Sequence, residues 1–171
     1  MENWALIEDF PPYAVSDLGS VMNTETGVFL TPYLNSTKQG ASVIVNLRGP
    51  GVQTTRALRR LVAEAFVPQF EPDPHHLFDT PVLKDGDHWN VVSYNIAWRP
   101  RWFAMRYSRT MAQSWIRLPT PPVICVETGV TYSSVVAAAI ENCENPRDIF
   151  NSAGEMNSYV FPFRHSYRFV R

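Results

Sequence analysis

Two proline-rich joints constrain this chain more than any other feature. Residues 68–74 read Pro-Gln-Phe-Glu-Pro-Asp-Pro, and residues 118–122 read Leu-Pro-Thr-Pro-Pro. Proline lacks a backbone N–H and fixes φ, so neither a helix nor a central strand runs through such a stretch. One continuous core over 171 residues is therefore not expected. The expected fold is α+β in small modules. Residues 1–68 form a β-sheet plus helix, 75–113 a ββα segment, and 120–171 a strand plus a helix-turn-helix-like module.

Local patterns fill in the modules. In the first, strand-like runs at 28–30 and 42–47 are separated by turn signals such as Gly49-Pro50-Gly51. A helix is expected next, capped by Thr54 or Thr55. Its apolar stripe is Leu58, Leu61, Val62, Ala65 and Phe66, with Arg56, Arg59 and Arg60 facing outward. In the second, a hairpin is expected around Lys84-Asp85-Gly86-Asp87, packed by Trp98 and Trp102 on a helix through Phe103, Met105 and Arg106. In the third, a strand at Val123–Val126 precedes a helix through Ala137–Ile140, capped by Ser133 or Ser134. Asn145-Pro146 opens a short helix over 147–151. Aromatic strands at 159–161 and 167–169 close the chain.

Charge is informative in its distribution. The net charge is −1, which gives no global basic signature. Yet from Thr26 to Ala63 the charged residues are Lys38, Arg48, Arg56, Arg59 and Arg60, and from His88 to Val126 they are Arg99, Arg101, Arg106, Arg109 and Arg117; neither stretch holds an acid. Such local basic faces suit phosphate binding. No apolar run approaches the roughly 20 residues of a membrane span, and no basic region followed by an apolar stretch opens the chain, so neither a membrane partner nor a secretory signal is expected. Cys125 and Cys143 are too few for a disulfide scaffold and read as reduced core thiols, giving a cytoplasmic location as the expectation.

Longer motifs carry a resemblance. Trp4, the run Pro11-Pro12-Tyr13-Ala14-Val15-Ser16-Asp17-Leu18-Gly19-Ser20-Val21, Thr26-Gly27 and Arg60–Pro68 together resemble NUMOD4, a module that precedes HNH nucleases in phage homing enzymes. Val126–Gly129, Tyr132-Ser133-Ser134, Ala138-Ala139 and the region of Ile149 resemble, more weakly, the NUMOD1 helix-turn-helix module. Between them, Asp85-Gly86, Asn90, Asn95, Ile96 and Trp98 stand at the spacing of an HNH segment. The resemblance implies double-stranded DNA as partner and, for a phage-encoded chain, the host bacterial cytoplasm. Lys38, Arg48, Arg56, Arg59, Arg60, Arg99, Arg101 and Arg106 are the implied DNA contacts.

The chain departs from the HNH pattern where the chemistry lies. Leu83 stands at the catalytic histidine, Val82 at a ligand position preceding it, and Ala104 near a downstream ligand. HNH hydrolysis needs an imidazole to deprotonate water and a divalent cation held by oxygen or nitrogen. A DNA-binding protein without nuclease activity and without a metal cofactor is therefore expected. Asp85-Gly86 then serves as a turn, and Asn95 bonds backbone groups. Two alternatives stand beside this reading. In one, an insertion shifts His76 into the base position with His75 as ligand, giving an active nicking enzyme with a metal such as magnesium; His88, three residues past Asp85 in a turn, is a comparable substitute. In the other, the scaffold binds a phage or host protein.

Overall fold

The alternation Val43-Ile44-Val45-Asn46-Leu47-Arg48 organises the first half of the chain. In the computed structural model, which describes residues 1–37, 40–49, 51–69, 78–112, 119–155 and 159–170, these residues lie in strand β5 (Gly40–Gly49). Its neighbours are β4 (Tyr33–Thr37) and β6 (Val52–Ala57), both antiparallel to it. Successive side chains point to opposite faces of a strand. Val43, Val45 and Leu47 accordingly enter the core, while Asn46 and Arg48 are exposed.

A second antiparallel sheet, β1 (Trp4–Leu6), β2 (Tyr13–Ser16) and β3 (Val21–Asn23), adds Tyr13, Val15 and Val21 to the same core. Helix α1 (Leu58–Phe66) covers it with Leu58, Leu61, Val62 and Ala63. The helix starts later than expected. Thr54 and Thr55 are paired in β6 with Leu47 and Asn46, and Ala57 precedes the helix without a side-chain cap. β-branched threonines suit the ladder, which satisfies their backbone groups better than a cap would. Arg56 is thus a strand residue. Ala65 is exposed, and Ala63 takes the buried place expected of it.

The middle hairpin is looser than expected. β7 (Thr80–Leu83) and β8 (Ile96–Arg99) form a two-stranded sheet, but residues 84–95 intervene, with a 3-10 turn at Ser93–Asn95. Part of this connection docks on the turn between β2 and β3: the Ser93 N–H donates to Asp17 O at 2.8 Å. Gly19 makes that close approach possible. Its φ is +89°, and a Cβ there would lie 2.4 Å from Val91 Cγ2. Backbone strain and overpacking add, so Gly19→Ala is expected to lose about 2–4 kcal/mol of stability in urea denaturation; a loss below about 0.5 kcal/mol would show that Val91 yields freely.

The chain divides into two compact units, residues 1–83 with 87–98, and residues 84–86 with 99–171. The described residues of the expected 75–113 segment are divided between them: β7 and β8 up to Trp98 fall in the first unit, and Arg99 with helix α2 (Arg101–Met111) in the second. Trp98 is buried in the first unit, where its Nε1–H donates to Val67 O at 3.0 Å, whereas Trp102 in the second is largely exposed. Trp98 serves α1, a partner that the spacing Trp98–Trp102 does not reveal.

The second unit is built on β10-β9-β11: β9 (Val123–Cys125), β10 (Thr131–Tyr132) and β11 (Tyr167–Phe169), antiparallel. Helices α3 (Val135–Asn142) and α4 (Pro146–Glu155) pack on it around Val123, Val135, Ala138, Ala139, Ile149 and Tyr167. Ser134 Oγ accepts from the Ala137 N–H at 3.1 Å and caps α3, and Asn145 Oδ1 accepts from the Arg147 N–H at 2.9 Å at the start of α4. The corner between them turns on Cys143, left-handed at φ 53°. Residues 159–161 do not form a strand; Val160 alone bridges to His165. No helix among the described residues is long and apolar enough to cross a membrane. The architecture is α+β, with small sheets and four helices among the described residues.

Candidate nucleic-acid interface

The HNH-like positions are built from core residues. Val82 and Leu83 end β7 with 3% and 5% of their surface exposed, and Leu83 belongs to the cluster that includes Val45, Leu61 and Trp98. Ala104, on α2, is buried in the second unit. These side chains carry no donor atom, so they do not fit a divalent cation, and Leu83 accepts no proton. Among the described residues no three His, Cys, Asp or Glu side chains gather as a metal site would require. His75 and His76 lie outside the described residues; His88 is half-buried in the 84–95 connection.

The polar residues at the remaining positions are structural. Asn95 is buried and its Nδ2–H donates to Asn90 O at 2.7 Å, closing the loop ahead of β8. In the second unit the Lys84–Gly86 turn is held by α2: the Tyr107 hydroxyl donates to Lys84 O at 2.7 Å. Gly86, at φ +70°, leaves room for Met111, whose Cβ would be 3.0 Å from an added Cβ. Asp85 is exposed at the tip of this turn.

The basic residues of the first unit do not form one cluster. Arg56 opposes Val45 across the ladder and Arg48 opposes Gln53; strand alternation sets these two rows on opposite faces of the sheet. Arg56 Nη2 lies 3.4 Å from Asp9 Oδ2, with its guanidinium 5.9 Å over the Phe10 ring. Arg60 Nε lies 2.8 Å from Glu64 Oε1, with its guanidinium 6.0 Å over Trp98. Arg59 is half-buried, and desolvation pulls its pKa below the ordinary guanidinium value. Lys38 lies outside the described residues. Sequence reasoning reached Arg48 but passed over its neighbours on the solvent face of β4–β6. There Tyr33, Asn46, Arg48, Gln53 and Thr55 are exposed, and Asn46 Oδ1 accepts from the Tyr33 hydroxyl at 3.0 Å and the Thr55 hydroxyl at 3.4 Å. The period-two pattern of β5 was the available signal: it sends Asn46 and Arg48 outward whenever Val45 and Leu47 go in.

In the second unit, Arg101, Arg106 and Arg109 are exposed along α2 with Trp102 and Met105. Arg99 has a different fate. It is 7% exposed, its Nε–H donates to Ile140 O at 2.6 Å, and Nη2 stands 3.8 Å from Glu141 Oε1. A cation at the carboxyl end of α3 is favourably placed against the helix dipole, so Arg99 holds α3 rather than presenting its charge to solvent.

A buried polar group sits at the corner between α3 and α4. Glu144, 1% exposed, accepts from the Tyr167 hydroxyl at 2.5 Å, and His165 Nδ1 stands 3.0 Å from its Oε1 as an ion-pair contact rather than a well-aligned hydrogen bond. Burial raises the Glu144 carboxyl pKa, against the lowering effect of Tyr167 and His165; burial and the neighbouring carboxylate raise Tyr167 well above the ordinary phenol range.

No family model and no curated protein matches this chain. Among solved structures it is similar to that described as "DNA binding and cleavage by the HNH homing endonuclease I-HmuI", with a TM-score of 0.50 and 22% sequence identity over 98% of each chain. The α+β fold of this chain is therefore similar to that of an HNH homing endonuclease.

Proposed function

We propose that this chain is a DNA-binding protein on a homing-endonuclease type of fold, and that it does not hydrolyse DNA through its HNH-like segment. The observation that carries the reading is the burial of Val82, Leu83 and Ala104, apolar side chains integral to the cores where a base and metal ligands would stand. The structure it is similar to belongs to a protein that binds and cleaves DNA, which supports DNA as the partner. Residues 1–68 then act as a NUMOD4-like module and 120–171 as a NUMOD1-like one. Arg48, with Asn46 and Gln53 beside it, and Arg101 and Arg106 on α2 are the proposed backbone and groove contacts. Arg56 and Arg60 contribute less, because Asp9 and Glu64 already neutralise them.

A salt titration of binding to double-stranded DNA tests this. Each phosphate contact adds about 0.9 to the slope of log affinity against log salt. Arg48→Ala, Arg101→Ala and Arg106→Ala together are expected to flatten the slope by about two to three. Unchanged affinity in that variant, folded by circular dichroism, would remove these faces from the interface and favour a protein partner. The wild-type protein is expected to leave supercoiled plasmid intact in magnesium or manganese. Magnesium-dependent nicking that His76→Ala abolishes would establish the shifted-histidine enzyme instead.

A further inference from the structure

Among the described residues of the second unit, the segment 159–163 carries the most exposed aromatic surface. Phe161 and Phe163 are 69% and 55% exposed and lie in the loop Phe161-Pro162-Phe163-Arg164. The loop is tightly closed: the Val160 N–H donates to His165 O at 2.7 Å, and the Arg164 N–H donates to Val160 O at 2.9 Å. Both ends are anchored. Val160 and Tyr167 are core residues, His165 stands against Glu144, and Ser166 donates its N–H and hydroxyl to Glu127 at 2.7 and 2.6 Å. Two phenyl rings are thus presented to solvent on a fixed base.

The sequence of the tip itself is basic. From Met156 to Arg171 there are three arginines and no acid. Arg164, left-handed at φ 60°, holds its guanidinium 5.8 Å over the Tyr159 ring, and Arg168 is exposed on β11. The nearby carboxylates, Glu127 and Glu144, are occupied by Ser166, Tyr167 and His165. An apolar tip of phenylalanine and proline flanked by arginine matches a duplex chemically: phosphates for the cations, and an opened base step for the rings. We infer that the loop Phe161–Arg164 is a wedge that enters between adjacent base pairs of bound DNA, with Arg164 and Arg168 on the flanking phosphates. The inference rests on the DNA-binding reading above and adds a mode of contact to it.

Unstacking a paired step costs free energy that a mismatched step has already lost. The full-length protein is therefore expected to bind a mixed-sequence duplex with a central two-nucleotide mismatch about tenfold tighter than the same duplex fully paired. In Phe161→Ala/Phe163→Ala this preference is expected to fall to near unity. Phe161→Leu/Phe163→Leu, which keeps an apolar tip, is expected to retain most of it. Arg164→Ala is expected to weaken both duplexes alike and flatten the salt slope by about 0.9. Equal binding of the two duplexes by wild type, or a preference that survives in the double alanine variant, would overturn the wedge while leaving DNA binding intact. Failure of wild type to bind either duplex would instead remove the DNA reading itself. A shift from dimer to monomer in sedimentation on the double alanine substitution would reassign the tip to contact between copies and overturn the wedge.

Discussion

Glu144→Ala is expected to destabilise the second unit by about 3–5 kcal/mol, the combined scale of a buried hydroxyl left without its acceptor and a cavity in the core. Glu144 is nearly inaccessible to solvent and faces Tyr167 and His165. The substitution leaves a phenol in the core and an imidazole at its edge without their acceptor, in addition to a cavity. Urea denaturation followed by near-ultraviolet circular dichroism of the tyrosines reads this directly; a loss below about 1 kcal/mol would mean that water or a rearranged Asn142, which already donates to the Tyr167 hydroxyl at 3.0 Å, replaces the carboxylate.

The same group gives a pH signature. Burial, the largest influence, sets the folded pKa of Glu144 above its ordinary value, while Tyr167 and His165 oppose the shift and Glu127 adds to it. Below the ordinary carboxylate range both folded and unfolded chains hold the proton, and the group's contribution is fully present. As pH rises through the raised value, the unfolded chain has released its proton more readily than the folded one, and that contribution is lost. Glu144→Gln, which stays neutral, is accordingly expected to gain stability relative to wild type over the interval in which pH rises from the ordinary carboxylate range through the raised value. A relative loss over that interval would show that the contacts with Tyr167 and His165 outweigh burial.

Leu83→His carries the second large effect. The substitution places an imidazole at the position of the missing base, yet it is expected to lose about 2–4 kcal/mol and to gain no nicking activity. Leu83 is a core side chain among Leu61, Val91 and Trp98. An imidazole there exchanges apolar contacts for a polar ring with no arranged partner, and Val82 and Ala104 still offer no metal ligand. Thermal unfolding measures the first part and a plasmid-relaxation assay with magnesium the second. Metal-dependent nicking by Leu83→His would mean that the remaining ligands are already in place, and the proposed loss of HNH chemistry would fall.

Leu83 and the arginines are unequally legible in the sequence. The burial of Leu83 follows from its own neighbourhood, because Pro81-Val82-Leu83 is an apolar run leading into a turn. The fate of the arginines does not. Arg56 meets Asp9 across 47 positions of sequence, and Arg99 meets the Ile140 carbonyl across 41. Arg56, Arg59 and Arg60 look like one helical cluster on spacing alone, but the strand persists through Ala57 because β6 has a partner in β5. That partner is a tertiary fact, and it moves Arg56 off the helix.

The sequence by itself determined the features whose causes are local. The alternation in β5 selects which side chains enter the first core; Ser134 and Asn145 mark where α3 and α4 begin; Asp85-Gly86 turns the chain. Only the tertiary structure decided which charges are spent. Arg99 and Arg101 stand one proline apart and Glu141 and Glu144 three residues apart, yet Arg99 and Glu144 are buried and bonded while Arg101 and Glu141 are exposed. The reason is physical: steric and propensity preferences act within a few residues of the chain, whereas desolvation and ion pairing depend on what distant segments bring within about 4 Å.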